Sequence, residues 1–207
     1  QFNDRSGMSS STRKKAIQLW QTDIPVGNKE ILAKTLFSFE NPPGTNIISG
    51  SQDSIGIVFP GVNKINYSEG NYWPDSIKSE TDTEILDFIE QHLYLITLSP
   101  RIGDFDVLAD TDITAGNAQN LAEAANQCWG AIQNKNLTAF GAAMKASFEA
   151  QIKMFPHMVN PDILHIIEQY KNQALGWKLS GAGGGGYLVL IADKPVKNAI
   201  QLRIVRE

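Results

Sequence analysis

The sequence predicts an α+β protein. Helical spacing runs through residues 9–39 and again beyond Thr114. Short apolar, β-type runs stand apart from those helices, at 93–98, 177–180 and 187–192. No internal repeat links the segments, so neither a solenoid nor a regular βα alternation is expected.

Taken in order, Ser9, Ser10, Ser11 and Thr12 are N-cap candidates for a helix reaching about Trp20. A second helix is expected from Asn28 to about Phe39, where Ile31, Leu32, Leu36 and Phe39 recur at helical spacing; Asn41-Pro42-Pro43-Gly44 must break it. Ile47 to Gly61 reads as a loop leading into a short helix. Val62, Ile65 and Tyr67 mark a strand, Glu84 to Gln91 a short helix, and Leu93 to Leu98 a buried strand. Then come helices from Asn117 to about Asn134 and from Leu137 to about Phe155. The second carries Phe140, Met144, Phe148 and Ile152 at i, i+4 intervals, a core stripe rather than a cofactor box. Pro156 ends it, and Pro161 opens the next, through about Lys171. Trp177 to Ser180 and Tyr187 to Ala192 are strands, and Pro195 to Leu202 is read as a helix. The polar, unpatterned stretch Lys78 to Thr83 suggests a boundary, giving domains 1–80 and 81–207.

Composition narrows the function. Hydrophobic residues make up 42% of the chain and charged ones 19%, enough for a packed core and against wholesale disorder. Net charge is −4 and no dense Lys/Arg stripe appears, which weighs against a nucleic-acid partner; Arg13-Lys14-Lys15 reads as a solvated helix face. No apolar stretch is long enough for a membrane span and no signal peptide is visible. The single cysteine, Cys128, excludes an internal disulfide and fits a reducing, cytoplasmic compartment; Ala125, Trp129 and Ile132 around it suggest a buried structural thiol.

Three segments carry chemistry. The first is Lys178-Leu179-Ser180-Gly181-Ala182-Gly183-Gly184-Gly185-Gly186-Tyr187. Ordering so many glycines is entropically costly, and apolar β-type sequence abuts the run, so it reads as a tight functional loop rather than a linker. Such a loop brings backbone N–H groups close to an anion or to another backbone. The second is Arg5-Ser6-Gly7-Met8-Ser9-Ser10-Ser11-Thr12, a glycine and a run of hydroxyls at a helix start. These hydroxyls can cap the helix, bind phosphate oxygens or ligate Mg²⁺. No Gly-Lys-Ser/Thr follows, so this is not a Walker loop. The third is Gly50-Ser51-Gln52-Asp53-Ser54-Ile55-Gly56, where Asp53 in apolar surroundings is either an N-cap or a working carboxylate.

The order and spacing of these segments resemble the galactokinase, homoserine kinase, mevalonate kinase and phosphomevalonate kinase (GHMP) family. Ser6 to Thr12 is similar to that family's Gly-Leu-Ser-Ser-Ser-Ala phosphate loop, with Met8 in place of Leu and Asp4-Arg5 where Pro-x and Gly are usual. Gln52-Asp53 resembles the pair carrying the catalytic carboxylate of the galactokinase branch. Lys178 to Tyr187 resembles the third motif, in the version of fucokinases and heptose 7-phosphate kinases.

The resemblance implies a partial ribosomal-S5-like α+β domain followed by a ferredoxin-like one. It implies ATP and Mg²⁺ as cofactors and a sugar or sugar phosphate as acceptor. Ser6, Gly7, Met8, Ser9, Ser10 and Ser11, with Gly181, Gly183, Gly184 and Gly185, would bind the nucleotide. Ser10, Ser11 and Glu40 would hold the metal, and Asp53 would take the acceptor's proton. Gln52 could bond a neighbouring hydroxyl, and Arg101 and Asp104 are either cleft residues or surface ones. The chain opens Gln1-Phe2-Asn3, without Met, and the family's first motif is absent. The expectation is therefore that N-terminal strands are missing and that the chain alone does not turn over; the competing reading is a nucleotide-binding remnant without catalysis.

Overall fold

The structure, a computed structural model, describes residues 9–21, 23–100, 106 and 109–206. It divides into two compact units, Ser9–Leu86 together with the residues from Ile204 on, and Asp87–Arg203. The division falls inside a helix rather than in the polar stretch before it.

The first unit packs α1 (Ser10–Trp20), α2 (Lys29–Glu40) and α3 (Gln52–Val58) with an antiparallel pair, β1 (Val62–Asn66) and β2 (Ser76–Glu80). Asn28 starts α2, its side chain accepting from the Ile31 N–H at 3.1 Å. Asn41 closes it, and Pro42-Pro43 cannot continue. Ala16, Ala33, Leu36, Ile55 and Val58 form the core, so each helix contributes its apolar face. β2 runs into the polar stretch Lys78 to Thr83, where the sequence shows no strand pattern. Its side chains are largely exposed, so no apolar alternation betrays the strand. Pairing to β1 makes it, with Ile77 opposite Ile65.

The second unit begins within α4 (Thr83–His92) and continues through β3 (Leu93–Thr97), α5 (Ala115–Gln133) and α6 (Leu137–Met154). A 3-10 turn at Pro156–Met158, α7 (Pro161–Tyr170), β4 (Gly176–Leu179), β5 (Tyr187–Ile191) and β6 (Ile200–Gln201) complete it. The strands form one antiparallel sheet in the order β4-β5-β3-β6. Thr114, Asn136 and Asn160 each cap a helix by accepting the N–H three residues on. Phe148, Ile163, Ile167, Leu188 and Leu190 lie in the main core, and Phe140 is also buried, as the helical stripe predicts. α6 lies so close to β4 that a Cβ on Gly176 would stand 1.9 Å from the Gly141 carbonyl oxygen. Pro195 to Leu202 is not a helix, which corrects the expectation. The chain turns there, with the Ala199 N–H on the Val196 carbonyl, and Ile200–Gln201 pairs with Leu95 and Tyr94. The open edge of β3 offers ladder partners that a two-turn, largely exposed helix lacks.

Candidate functional site

The site in the first unit is built where three helix ends meet. Ser9 precedes α1 in the left-handed region, φ 55°, and its side chain makes no capping bond. The hydroxyl run therefore does not serve α1 in the ordinary capping way. Ser10 and Thr12 are buried and Ser11 is exposed. Thr12 Oγ1 lies 2.8 and 3.1 Å from the two carboxylate oxygens of Glu40, the last residue of α2. Burial raises the Glu40 carboxyl above its ordinary value. The Thr12 hydrogen bond opposes that shift, the nearby Asp53 charge adds to it, and Lys15 opposes it. Glu40 and Asp53 thus share one electrostatic neighbourhood.

Asp53 stands in the first turn of α3, but the N-cap is Ser51. The structure removes the N-cap reading of Asp53 and leaves a carboxylate at a helix start, where the dipole favours its charge. Ser51 is fully buried. Its Oγ lies 2.6 Å from the Tyr72 carbonyl oxygen and 2.9 Å from the Tyr67 hydroxyl. Burial, with the Asp53 charge adding to it, raises the Tyr67 phenol. Gln52 is exposed and folds back against Gly50. Sequence reasoning did not find Thr12 as Glu40's partner, or Tyr67. A hydroxyl run was visible, but which hydroxyl reaches the carboxylate depends on how α1 is rotated against α2.

The glycine loop belongs to the second unit and joins β4 to β5. Gly181, Gly183, Gly184, Gly185 and Gly186 all have positive φ. The Gly184 N–H donates to the Met158 carbonyl at 2.7 Å and the Gly186 N–H to the Ser99 carbonyl at 3.3 Å, while the Leu98 N–H donates to Gly186. A linker has no such fixed bonds. A Cβ on Gly183 would sit 2.7 Å from the Met158 carbonyl oxygen, so this position admits no side chain. Just before the loop, Lys178 Nζ donates to Ser147 Oγ at 2.8 Å and to Gln151 Oε1 at 2.5 Å. Burial pulls its ammonium down to about 8, opposed by Cys128, whose own thiol burial pushes up to about 11. Cys128 is partly buried, and that burial disfavours its thiolate.

Ser6, Gly7 and Met8 lie outside the described residues, as do Arg101 and Asp104. Among the described residues no three His, Cys, Asp or Glu side chains gather as a metal-holding group. No described helix is long and apolar enough to cross a membrane.

Comparison with known proteins bears on the C-terminal part of the chain and on the fold. Residues 112–207 match the family model described as GHMP kinases C terminal. A 74-residue stretch is 39% identical to the L-fucokinase/L-fucose-1-P guanylyltransferase of Bacteroides fragilis, covering 35% of this chain and 8% of that protein. Among solved structures, a D-glycero-D-manno-heptose 1-phosphate kinase of Bacteroides thetaiotaomicron superposes with a TM-score of 0.63 at 13% identity, over 99% of this chain and 62% of that one. The mevalonate kinase of Methanococcus jannaschii gives 0.54 at 19% identity, over 93% and 58%. At such identities the two structures speak for the fold alone. The chain spans about three fifths of the length of these solved kinases and 8% of the fucokinase.

Proposed function

We propose that this protein transfers the γ-phosphate of ATP to a hydroxyl of a sugar or sugar phosphate, a reading supported by the match of residues 112–207 to the family model described as GHMP kinases C terminal. One observation carries the reading. Asp53 and Glu40 are held within each other's field, and Glu40 is tied through Thr12 to the start of α1. That brings together a helix N-terminus suited to phosphate and two carboxylates.

Phosphoryl transfer is chiefly positioning and charge neutralisation. Ser9, Ser10 and Ser11 at the start of α1 hold the nucleotide phosphates, and the α1 dipole favours their charge. The loop Gly181 to Gly185, its conformation fixed by the Met158 and Ser99 carbonyls, is a second candidate for nucleotide binding, as the resemblance implies. Asp53 receives the proton of the acceptor hydroxyl as that oxygen bonds to the γ-phosphorus and ADP departs. Mg²⁺ suits the donor set. It takes oxygen ligands, is satisfied by one or two carboxylates plus substrate phosphates, and so needs no cage of three acidic side chains. Glu40, with Ser10 and Ser11, would hold it, and when bound it would neutralise charge on the phosphates. A reaction drawing on ATP also fits a cytoplasmic location.

The printed names of the relatives motivate the choice of acceptors: L-fucose for the Bacteroides fragilis protein, a heptose phosphate for the Bacteroides thetaiotaomicron kinase. The test is ADP release by the complete gene product with MgATP and a panel containing L-fucose, other monosaccharides, D-glycero-D-manno-heptose 1-phosphate, and mevalonate as the non-sugar control. Sugar-dependent ADP release is expected. Asp53→Asn should lower turnover by about 10²–10⁴-fold, the usual worth of acid–base help, with nucleotide affinity little changed. ADP release with mevalonate but with no sugar would overturn the acceptor class. Near-normal turnover of Asp53→Asn would overturn the role of Asp53.

A further inference from the structure

The proton on Tyr67 can be located from the geometry around Ser51. Ser51 Oγ has a single proton and two close partners, the Tyr72 carbonyl oxygen at 2.6 Å and the Tyr67 hydroxyl at 2.9 Å. A carbonyl oxygen can only accept, so the serine proton goes to Tyr72. The remaining contact is a hydrogen bond only if the Tyr67 O–H donates to Ser51. Ser51 is fully buried, so water does not compete for either bond. Tyr67 oxygen is left with no proton to give and with lone pairs to offer. Its side chain is not sealed in, since Tyr67 is 42% exposed.

The geometry points to Tyr67 as an acceptor-binding residue: its phenolic oxygen accepts a hydrogen bond from a hydroxyl of the sugar that Asp53 deprotonates. This deepens the sugar-kinase reading and rests on it. Two neighbouring groups that both accept, a carboxylate and a phenol whose proton is committed, match a pair of sugar hydroxyls that both donate. They match poorly a ligand presenting a carboxylate or phosphate at that point, whose oxygens would face two acceptors. Burial, with the Ser51 hydrogen bond opposing and the Asp53 charge adding, raises the phenol above its ordinary value, so no second negative charge arises beside Asp53. Ser51 acts through Tyr67 and Tyr72 and is a positioning residue. The hairpin of β1 and β2 thereby gains a function that its strands do not show, carrying Tyr67 to the start of α3.

The test uses the complete gene product, the best monosaccharide acceptor from the panel above, and the set of its monodeoxy analogues. Tyr67→Phe keeps the ring and leaves Ser51 bonded to the Tyr72 carbonyl. It should raise KM for the parent sugar about 3- to 10-fold, the worth of one neutral hydrogen bond, with KM for ATP unchanged. For one monodeoxy analogue the penalty should vanish, because the hydroxyl that Tyr67 binds is already gone. Ser51→Ala frees the Tyr67 proton and should raise KM for the parent sugar while sparing that same analogue. A KM unchanged in Tyr67→Phe, or a penalty equal for the parent and every analogue, would overturn the inference while the sugar-kinase reading stands. Absence of sugar phosphorylation by the unmutated protein would overturn both.

Discussion

Glu40→Gln should make the protein more stable at neutral pH and weaken its use of MgATP, and both effects have one cause. Glu40 is half-buried, close to Asp53, and its carboxyl titrates above the ordinary value of 4.5. With the folded value raised, the native state holds the extra proton. The stabilising contribution is present in full below about 4.5 and is lost as pH rises through the folded value. At pH 7.5 the unmutated protein carries an ionised carboxylate that the fold disfavours. A glutamine amide at this position would still accept from Thr12 without carrying the charge. The melting temperature of Glu40→Gln should therefore exceed that of the parent at pH 7.5, with the gap closing as pH falls towards 4.5 and below. Thermal melts across roughly pH 4–8 check this. A glutamine variant less stable than the parent at neutral pH would show that the carboxylate is held by partners other than Thr12 and Lys15. Retaining a disfavoured charge is what a site arranged for a cation does at the expense of stability.

The glycine loop shows most clearly how much an element can be read in advance. Its existence, its bounds and its tightness were legible, because a run of glycines between two apolar runs has few other uses. Its anchors were not, since Met158 and Ser99 are far away in sequence and contribute only carbonyls. Gly183→Ala tests the anchoring. Alanine at φ 72° is strained, and its Cβ would meet the Met158 carbonyl oxygen at 2.7 Å. The left-handed conformation costs roughly 1–2 kcal/mol and the overpacking about 1–3, so urea denaturation should show a loss of about 2–5 kcal/mol. An unchanged midpoint would mean that the Met158 contact yields freely. The same contrast runs through the rest of the chain. Helices with apolar stripes were legible, because their signals are local, whereas the Asn136 and Asn160 caps emerge only in the structure. β2 was not, because its side chains are mostly exposed and its partner strand defines it. Nor was the turn after Pro195, since the free edge of β3 recruits Ile200 and Gln201 into the sheet. At the site, Asp53 was legible as a carboxylate in an unusual setting and Glu40 only through the family resemblance, whereas Tyr67 and Thr12 acquire their partners only in the fold.

At the scale of the molecule the chain forms two units with separate cores. Asp53, Glu40 and the start of α1 rest on a core of Ala16, Ala33, Leu36, Ile55 and Val58. The glycine loop rests on a larger one that includes Leu179, Leu188 and Leu190. Among the described residues none belongs to both buried clusters, so a cavity cut in one should loosen the elements around it before it affects the other. Leu36 and Leu190 are both buried, at 0% and 1% exposure, and are suitable probes. Each truncation to Ala should cost about 2–5 kcal/mol by lost transfer energy and the cavity left behind. Under native conditions Leu36→Ala should speed amide hydrogen exchange in α1, α2 and α3 and leave β3 and β5 protected. Leu190→Ala should do the reverse. The first unit has the smaller core, so Leu36→Ala should be the more damaging variant for its own elements. If either substitution accelerates exchange equally across both sets of elements, the chain unfolds as one cooperative body, and the stability of the carboxylate pair cannot be tuned separately from that of the glycine loop.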